Sequence, residues 1–344
     1  MDKKYIESIA VEYVPAYKLA ECLSLKYKNT EEKETAPERA DEVTEEFKQH
    51  IYFFDEEQIK FMSDFIEKTQ TGGLIVENDK IDLAGLFPYD YFFAYLHDDK
   101  LYLVLPDELR DIYIETIAED NFESIRKLNR EMLKYAVALT NLYGAYEIEQ
   151  FVTVWNQHHK DKIDYYAAEK FLNKSSDYTL EYLQEDDYVF SDSLYSDEET
   201  DDLLDKVEYL KYYMPTKSVI NLYSEDDYYE KIPEAITMAE FLNRYVPNDT
   251  FLGDTLRLNI IYDCKRLEKP IEIVNILHGY GFPVEDKEAM KEFERLYQNL
   301  LNNTHIWEFR GFTPPQYENE TGKQVKPFKI PEFERVEKGK KKKR

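Results

Sequence analysis

The sequence predicts an α+β, mainly α protein in which a winged-helix-like central module is followed by a C-terminal helical domain. Three observations lead there. Apolar residues recur at intervals of three and four from Phe122 through Ile125, Leu128, Met132, Ala136 and Leu139 to Tyr143, which lines one face of a helix. After two further helical stretches the pattern changes to short Tyr- and Val-containing runs around an acidic break, as a hairpin requires. Helical stripes then return over residues 233–302, two of them opened by Pro233 and Pro270, a residue suited to the first helical turn.

Residues 1–70 read as an N-terminal helical region. Tyr13, Tyr17, Leu19 and Leu23 form one apolar cluster and Ile59, Phe61, Phe65 and Ile66 another. The polar stretch from Asn29 to Asp41, interrupted by Pro37, reads as a connector. Gly72-Gly73 breaks the helix and opens a small α+β segment, 71–119. Its strand candidates are Leu74-Ile75-Val76 and the run 101–105, and Pro106-Asp107-Glu108 opens a helix with acids at its positive end.

The winged-helix-like module spans 120–210. Asp120-Asn121-Phe122-Glu123 has capping-box spacing and Gly144 suits the residue after the first helix. A second helix fits 147–156, with Ile148, Phe151, Val152 and Trp155 inward, and a third fits 164–173. Strands at 178–182 and 188–190, separated by Gln184-Glu185-Asp186-Asp187, then complete the helix order of a winged helix. Residues 211–316 make the C-terminal helical domain, with helices at 233–245, 250–266, 270–278 and 286–302. Met290, Phe293, Leu296, Tyr297, Leu300 and Leu301 stripe the last of these, and Trp307 is expected to pack on that stripe. Residues 317–344, ending in Lys340-Lys341-Lys342-Lys343-Arg344, read as a basic flexible tail.

Composition bounds the function. With 344 residues, 43% hydrophobic and 15% aromatic, the chain can bury a sizeable core, so its net charge of -27 is a surface property. Such a surface repels phosphate over roughly a Debye length, ~8 Å at physiological salt, which disfavours a nucleic-acid partner outside local basic islands. No run approaches the ~18 apolar residues that span a bilayer, so no membrane partner is expected. Cys22 and Cys264 are far apart and form neither a disulfide framework nor a zinc spacing. A reduced cytoplasm suits such a chain.

No catalytic, cofactor or metal residue is assigned. His158-His159 with Asp161 and Asp164 offers metal-ligand types, but adjacent histidines on a helix point about 100° apart, and a site needs convergent ligands. His278 before Gly279 reads as stabilising a helix C-terminus. Gly322-Lys323 lacks an upstream glycine-rich loop, and acids near Lys80 or Lys100 match a nuclease-like pattern only as often as so acidic a chain would by chance. His158, His159, Lys160, Lys162, Lys170 and Lys174 form a basic island around the third helix, where phosphate contacts could fall. Against it, residues 177–208, read together as an acidic hairpin wing, carry thirteen acids, among them Glu185, Asp186 and Asp187, with Lys206 as the lone cation. The balance predicts a non-catalytic regulatory or adaptor protein that binds a protein partner, a basic protein being one candidate. The alternatives are a DNA-binding transcription regulator using the third helix and a hydrolase whose site assembles only in three dimensions.

The segment Asn302-Asn303-Thr304-His305-Ile306-Trp307-Glu308-Phe309-Arg310-Gly311-Phe312-Thr313-Pro314 joins the last helix to a Trp-anchored turn. It resembles a segment of an uncharacterised family of bacterial proteins that often carry a SEC-C zinc knuckle just beyond it. Leu86-Phe87-Pro88 through Leu105-Pro106-Asp107-Glu108-Leu109, and Leu139-Thr140-Asn141-Leu142-Tyr143-Gly144, look like two further landmarks of those relatives. The resemblance implies structural roles for Asn302, Asn303, Thr304, Trp307, Arg310, Gly311, Thr313 and Pro314, and no particular reaction. No cysteine follows Cys264, and Glu337-Lys338-Gly339-Lys340 opens the stretch where a knuckle would stand, so a zinc role does not carry over.

Overall fold

In a computed structural model the described residues are mainly helical with three small sheets, the α+β class that the chain's periodicity predicts. The structure describes residues 6–7, 9–10, 17–27, 36–69, 73–76, 80–81, 91–179, 181–194, 196–225, 227–247 and 251–330. Tyr13, the Leu86-Phe87-Pro88 landmark and the Lys340–Arg344 cluster lie outside them. The chain divides into two compact units, Met1–Leu133 and Lys134–Arg344, the division falling within the helix Phe122–Tyr143 (α5).

The first unit holds α1 (Leu19–Lys26), α2 (Ala36–His50), α3 (Glu56–Lys68), α4 (Asp107–Ile117) and the start of α5. Its strands are β1 (Ile6–Glu7), β2 (Ile9–Ala10), β3 (Gly73–Val76), β4 (Lys80–Ile81), β5 (Phe93–His97) and β6 (Lys100–Val104). One sheet has the order β2-β5-β6-β3, and β1 pairs with β4. The β5–β6 hairpin turns through Asp98 and Asp99 at φ 47 and 57. Positive φ at both central residues suits the twist of a tight hairpin, and Asp tolerates it.

Four readings are corrected in this unit. Residues 1–70 are not wholly helical, since β1 and β2 add strands to the sheets. Pro37 lies in the first turn of α2 rather than in a connector, where its missing N–H has no intrahelical partner to lose. β4 and β5 escaped detection, because a short apolar run such as Phe93–His97 has no alternation to reveal it. Segments 1–70 and 71–119 are not separate modules, because Leu23, Phe47 and Phe65 share a core with Phe93, Leu103 and Tyr113.

The second unit begins with the end of α5 and continues as β7 (Ala145–Glu147), α6 (Ile148–His158), α7 (Tyr165–Ser176), β8 (Tyr182–Glu185) and β9 (Tyr188–Ser191). The three strands form an antiparallel sheet of order β7-β9-β8. The three helices and the hairpin lie where periodicity predicts them, but the first hairpin strand is 182–185 and not 178–182. The turn is Asp186-Asp187, with Asp186 left-handed at φ 49. β7 is too short to show a period.

The acidic stretch after the hairpin is helical, not a continuation of the wing. Ser196 caps α8 (Asp197–Val207) by accepting a hydrogen bond from the Glu199 N–H at 3.2 Å, and Leu203 and Val207 are buried. Acids in a first turn favour that end of a helix. Then come α9 (Lys217–Tyr223), α10 (Pro233–Leu242), α11 (Phe251–Lys265), α12 (Pro270–Gly279), α13 (Lys287–Asn303) and α14 (Pro314–Thr321). The predicted α13 stripe is buried throughout and packs with Met238, Phe241, Ile260 and Leu277. Trp307 does not join it. It clusters with Ala145, Leu203 and Val207.

The stretch 317–330, read from composition as the start of a flexible tail, is packed, and residues 331–344 of that reading lie outside the described ones. Phe328 is buried against Tyr297, ring centroids 4.2 Å apart, and its N–H donates to Gln298 Oε1 at 2.6 Å. Ending the chain at Gln316 is therefore expected to cost roughly 2–3 kcal/mol in urea unfolding through the lost phenylalanine burial. Among the described residues no helix is long and apolar enough to cross a membrane.

Candidate functional site

Two places in the second unit combine unusual chemistry with fixed geometry. The first is the surface of α7 and the hairpin. Asp164 caps α7, accepting from the Ala167 N–H at 2.9 Å, and Ala168, Phe171, Leu172 and Ser175 face inward. The outward positions include Ala167, Lys170 and Tyr166, the last 77% exposed. The hairpin turn is tied to the start of the helix by Tyr165, whose hydroxyl donates to Asp187 Oδ1 at 2.5 Å. Asn173 donates to Gln184 Oε1 at 2.9 Å. The acids Glu185, Asp186 and Asp187 are all exposed beside the helix.

The structure disperses much of the predicted basic island. His158 Nδ1 lies 3.0 Å from the Tyr135 hydroxyl, and burial lowers its pKa. His159 stacks on Trp155 with centroids 3.8 Å apart. Lys162 donates to the carbonyls of Asn156 and His159, the latter at 2.7 Å, and so serves the C-terminal carbonyls of α6. Lys160 and Lys170 remain exposed, and Lys174 sits in the last turn of α7. Asp161 and Asp164 do not converge with the histidines. The Asp161 carbonyl accepts from Trp155 Nε1 at 3.2 Å, and Asp164 is the cap already described. His278 lies in the last turn of α12, the position its sequence context implies.

The second place is the segment 302–314, where two landmarks distant in sequence meet. Trp307 is 2% exposed, its Nε1 donates to the Asn141 carbonyl at 3.2 Å, and its ring covers Gly144. A Cβ on Gly144 would stand 2.5 Å from the indole, and one on Gly311 would stand 2.6 Å from the Tyr143 ring. Both glycines have positive φ, 73 and 80, so backbone and space each demand glycine. Arg310 is left-handed at φ 50. Its Nε donates to the Val207 carbonyl at 3.1 Å, its terminal nitrogens reach Glu147 at 2.9 and 3.3 Å, and its guanidinium covers the Tyr212 ring at 4.1 Å. The Tyr212 hydroxyl donates to the same carboxylate.

The remaining motif residues close the turn. Asn302 accepts from Gln298, Asn303 donates to the Asn299 carbonyl, and the Thr304 hydroxyl donates to the Leu300 carbonyl, all within α13 and its cap. His305 Nδ1 donates to the Gly311 carbonyl at 2.5 Å, and burial lowers the ring's pKa to about 4, which keeps it neutral. Thr313 is the N-cap of α14, its N–H donating to Gln316 Oε1 at 2.9 Å, and Pro314 opens the helix.

A buried ammonium that sequence reading missed lies beside this turn. Lys265, 1% exposed, has its Nζ 3.1 Å from Asn141 Oδ1 and over the rings of Tyr228, Tyr262 and Trp307 at 4.7, 5.1 and 5.5 Å. The Asn141 amide is oriented by donating Nδ2 to the Tyr223 carbonyl at 3.0 Å, which leaves its oxygen for the lysine. Arg266 shares the Tyr262 and Trp307 rings and donates to the Ser193 carbonyl. Burial lowers the Lys265 pKa to about 7; Glu181 works against the shift and Arg266 adds to it. One signal was present in the sequence: Lys265 stands four residues after Ile261 on a helix whose apolar stripe also holds Leu256 and Cys264.

The rings and the single amide oxygen make this a cage for an internal cation. The cysteines are no more available for chemistry: both are buried, and burial pushes the Cys22 thiol up to about 12 and raises that of Cys264 as well. Thiols so shifted are protonated and unreactive near neutrality. No family model matches the sequence, and neither a curated protein nor a solved structure matches it.

Proposed function

We propose that this chain is a non-catalytic cytoplasmic adaptor or regulator that binds a protein partner through the α7–hairpin face of a winged-helix-like module. The module reading is supported by the connectivity α5-β7-α6-α7-β8-β9, with β9 between β7 and β8. The observation that carries the function is the charge of the exposed face. His158, His159 and Lys162 are engaged internally, while Glu185, Asp186 and Asp187 flank the helix that would approach a phosphate backbone. Phosphate contacts drive nucleic-acid affinity through counterion release, and this face offers few. Tyr166 instead supplies a large exposed ring of the kind that anchors protein interfaces.

Kinship with the SEC-C-associated bacterial proteins belongs to the same proposal. It is supported by the packing of the segment 302–314 on residues 141–144, two landmarks of that resemblance.

The DNA-regulator reading keeps one observation in its favour, the exposure of Lys160 and Lys170 at the third helix. Duplex binding by the chain ending after Ile330 separates the two, since the lysine-rich terminus is then gone. No submicromolar binding to host DNA fragments is expected at physiological salt, and Lys160→Ala with Lys170→Ala should leave any weak binding's salt slope unchanged. A DNA reader would bind selectively and lose about 0.9 of slope per phosphate contact removed. Tyr166→Ala is expected to reduce capture of the native partner from host lysate, identified by mass spectrometry, without altering circular dichroism.

A further inference from the structure

A groove between α10 and α11 encloses a cavity of about 250 Å³. Its floor is apolar, formed by Ala235, Met238, Leu242, Ile260 and Ile261, and Ile236 stands at its mouth, 42% exposed. Ala239 and Tyr229 complete its walls. A concave apolar floor open to solvent marks interaction surfaces more often than a single exposed side chain does. The volume is below the roughly 300–1,000 Å³ of small-molecule sites, and suits one or two side chains better than a whole ligand.

Charge narrows the occupant. Glu230, Glu240 and Arg257 line the groove. Arg257 is already matched, paired with Asp254 and 4.0 Å from Glu230. Glu240 is exposed and has no ion pair among the described residues. The lining thus holds two carboxylates against one guanidinium that Asp254 already pairs, so the mouth is acidic, which favours a partner bearing lysine or arginine and repels an acidic one.

We propose that this groove docks a cationic amphipathic segment of a partner protein, with an apolar side chain entering between Ile236 and Ile260 and basic flanks meeting Glu230 and Glu240. This is the helix-in-groove mode, in which apolar anchors supply affinity and the charged rim supplies selectivity. The proposal rests on the reading of the chain as a binding protein but uses a surface other than α7.

The test uses the full chain and a synthetic helical peptide with leucines on one face and lysines on the other, beside its leucine–glutamate counterpart. The leucine–lysine peptide is expected to bind and to weaken with salt, and the leucine–glutamate peptide is expected not to bind. Ala239→Trp, which fills the groove, should lower affinity about tenfold or more, the loss typical of a blocked anchor. Ile236→Asn, at a position 42% exposed, should weaken binding in the same direction, with circular dichroism showing the fold kept. Glu240→Gln should act at low salt only.

Unchanged binding by both groove variants would overturn the proposal, because it would place the peptide on acidic surface at large. Equal binding of the glutamate peptide would do the same. Binding only after removal of residues beyond 330 would also overturn it, by making the chain's own basic terminus the occupant. Tyr166→Ala is expected to have no effect on the peptide. A loss confined to Tyr166→Ala would refute the groove and leave the α7 reading standing, whereas failure of the α7 test leaves the groove result intact.

Discussion

Replacing Trp307 by alanine is expected to destabilise the second unit by roughly 3–5 kcal/mol, the range for deleting a fully buried large aromatic. The indole is 2% exposed, donates to the Asn141 carbonyl and packs with Ala145, Leu203 and Val207, so its removal opens a cavity and strands a buried acceptor. Urea unfolding followed by circular dichroism measures the loss. The contact with Gly144 makes the prediction sharper. Gly144→Ala places a Cβ 2.5 Å from the indole and forces alanine to φ 73, so it carries a clash and a backbone penalty. Only the clash disappears when the indole is absent. Gly144→Ala should therefore cost clearly less in the Trp307→Ala background, with a coupling of roughly 1–3 kcal/mol in the double-mutant cycle. Additive effects would show that the ring and the glycine do not touch.

Lys265→Met is expected to stabilise the protein at pH 7 by roughly 1–4 kcal/mol. The aromatic cage and the Asn141 oxygen favour the ammonium, each at about 0.5–3 kcal/mol, but burial outweighs them, since the pKa falls from 10.5 to about 7. In the folded state the neutral amine is therefore favoured relative to the unfolded chain. Between about 7 and 10.5 the unfolded chain holds the proton that the folded chain lacks, so this group's contribution to stability rises with pH across that window. Below about 7 both states are protonated and its cost is full. The advantage of the methionine variant should thus be largest at and below neutrality and shrink towards pH 10. The difference between the two proteins removes the background from Asp263, whose carboxyl burial pushes up to about 7. A methionine variant that is less stable at pH 7 would mean that the cage more than offsets the burial of the charge.

The helices were the legible part of this chain. α5, α10, α12 and α13 lie within a few residues of the positions that their stripes, prolines and glycines indicate, because those signals are local and repeat over several turns. The acidic run 197–207 shows where composition misleads. Its charges suggested an extended wing, yet Leu203 and Val207 with a Ser196 cap suffice to make α8, since a helix needs only one buried stripe. β7 and β5 escaped for a different reason: a short strand is specified by its partners, and pairing is not local.

The sequence by itself determined the fold class, most helix boundaries, the hairpin and the glycine stops, all of which depend on residues within a few positions of one another. It also singled out the segment 302–314, though not its purpose. Only the tertiary structure decided that Trp307 sits on Gly144 and not on the α13 stripe, that His158, His159 and Lys162 are spent on internal bonds, and that Lys265 is enclosed by rings from three separate stretches of chain. Each of these depends on groups tens to more than a hundred residues apart or on the direction a side chain takes once its neighbours are packed. Periodicity carries no record of either, because a lysine on a solvated face and a lysine in an aromatic cage occupy the same kind of position in the sequence until the rest of the core closes around one of them.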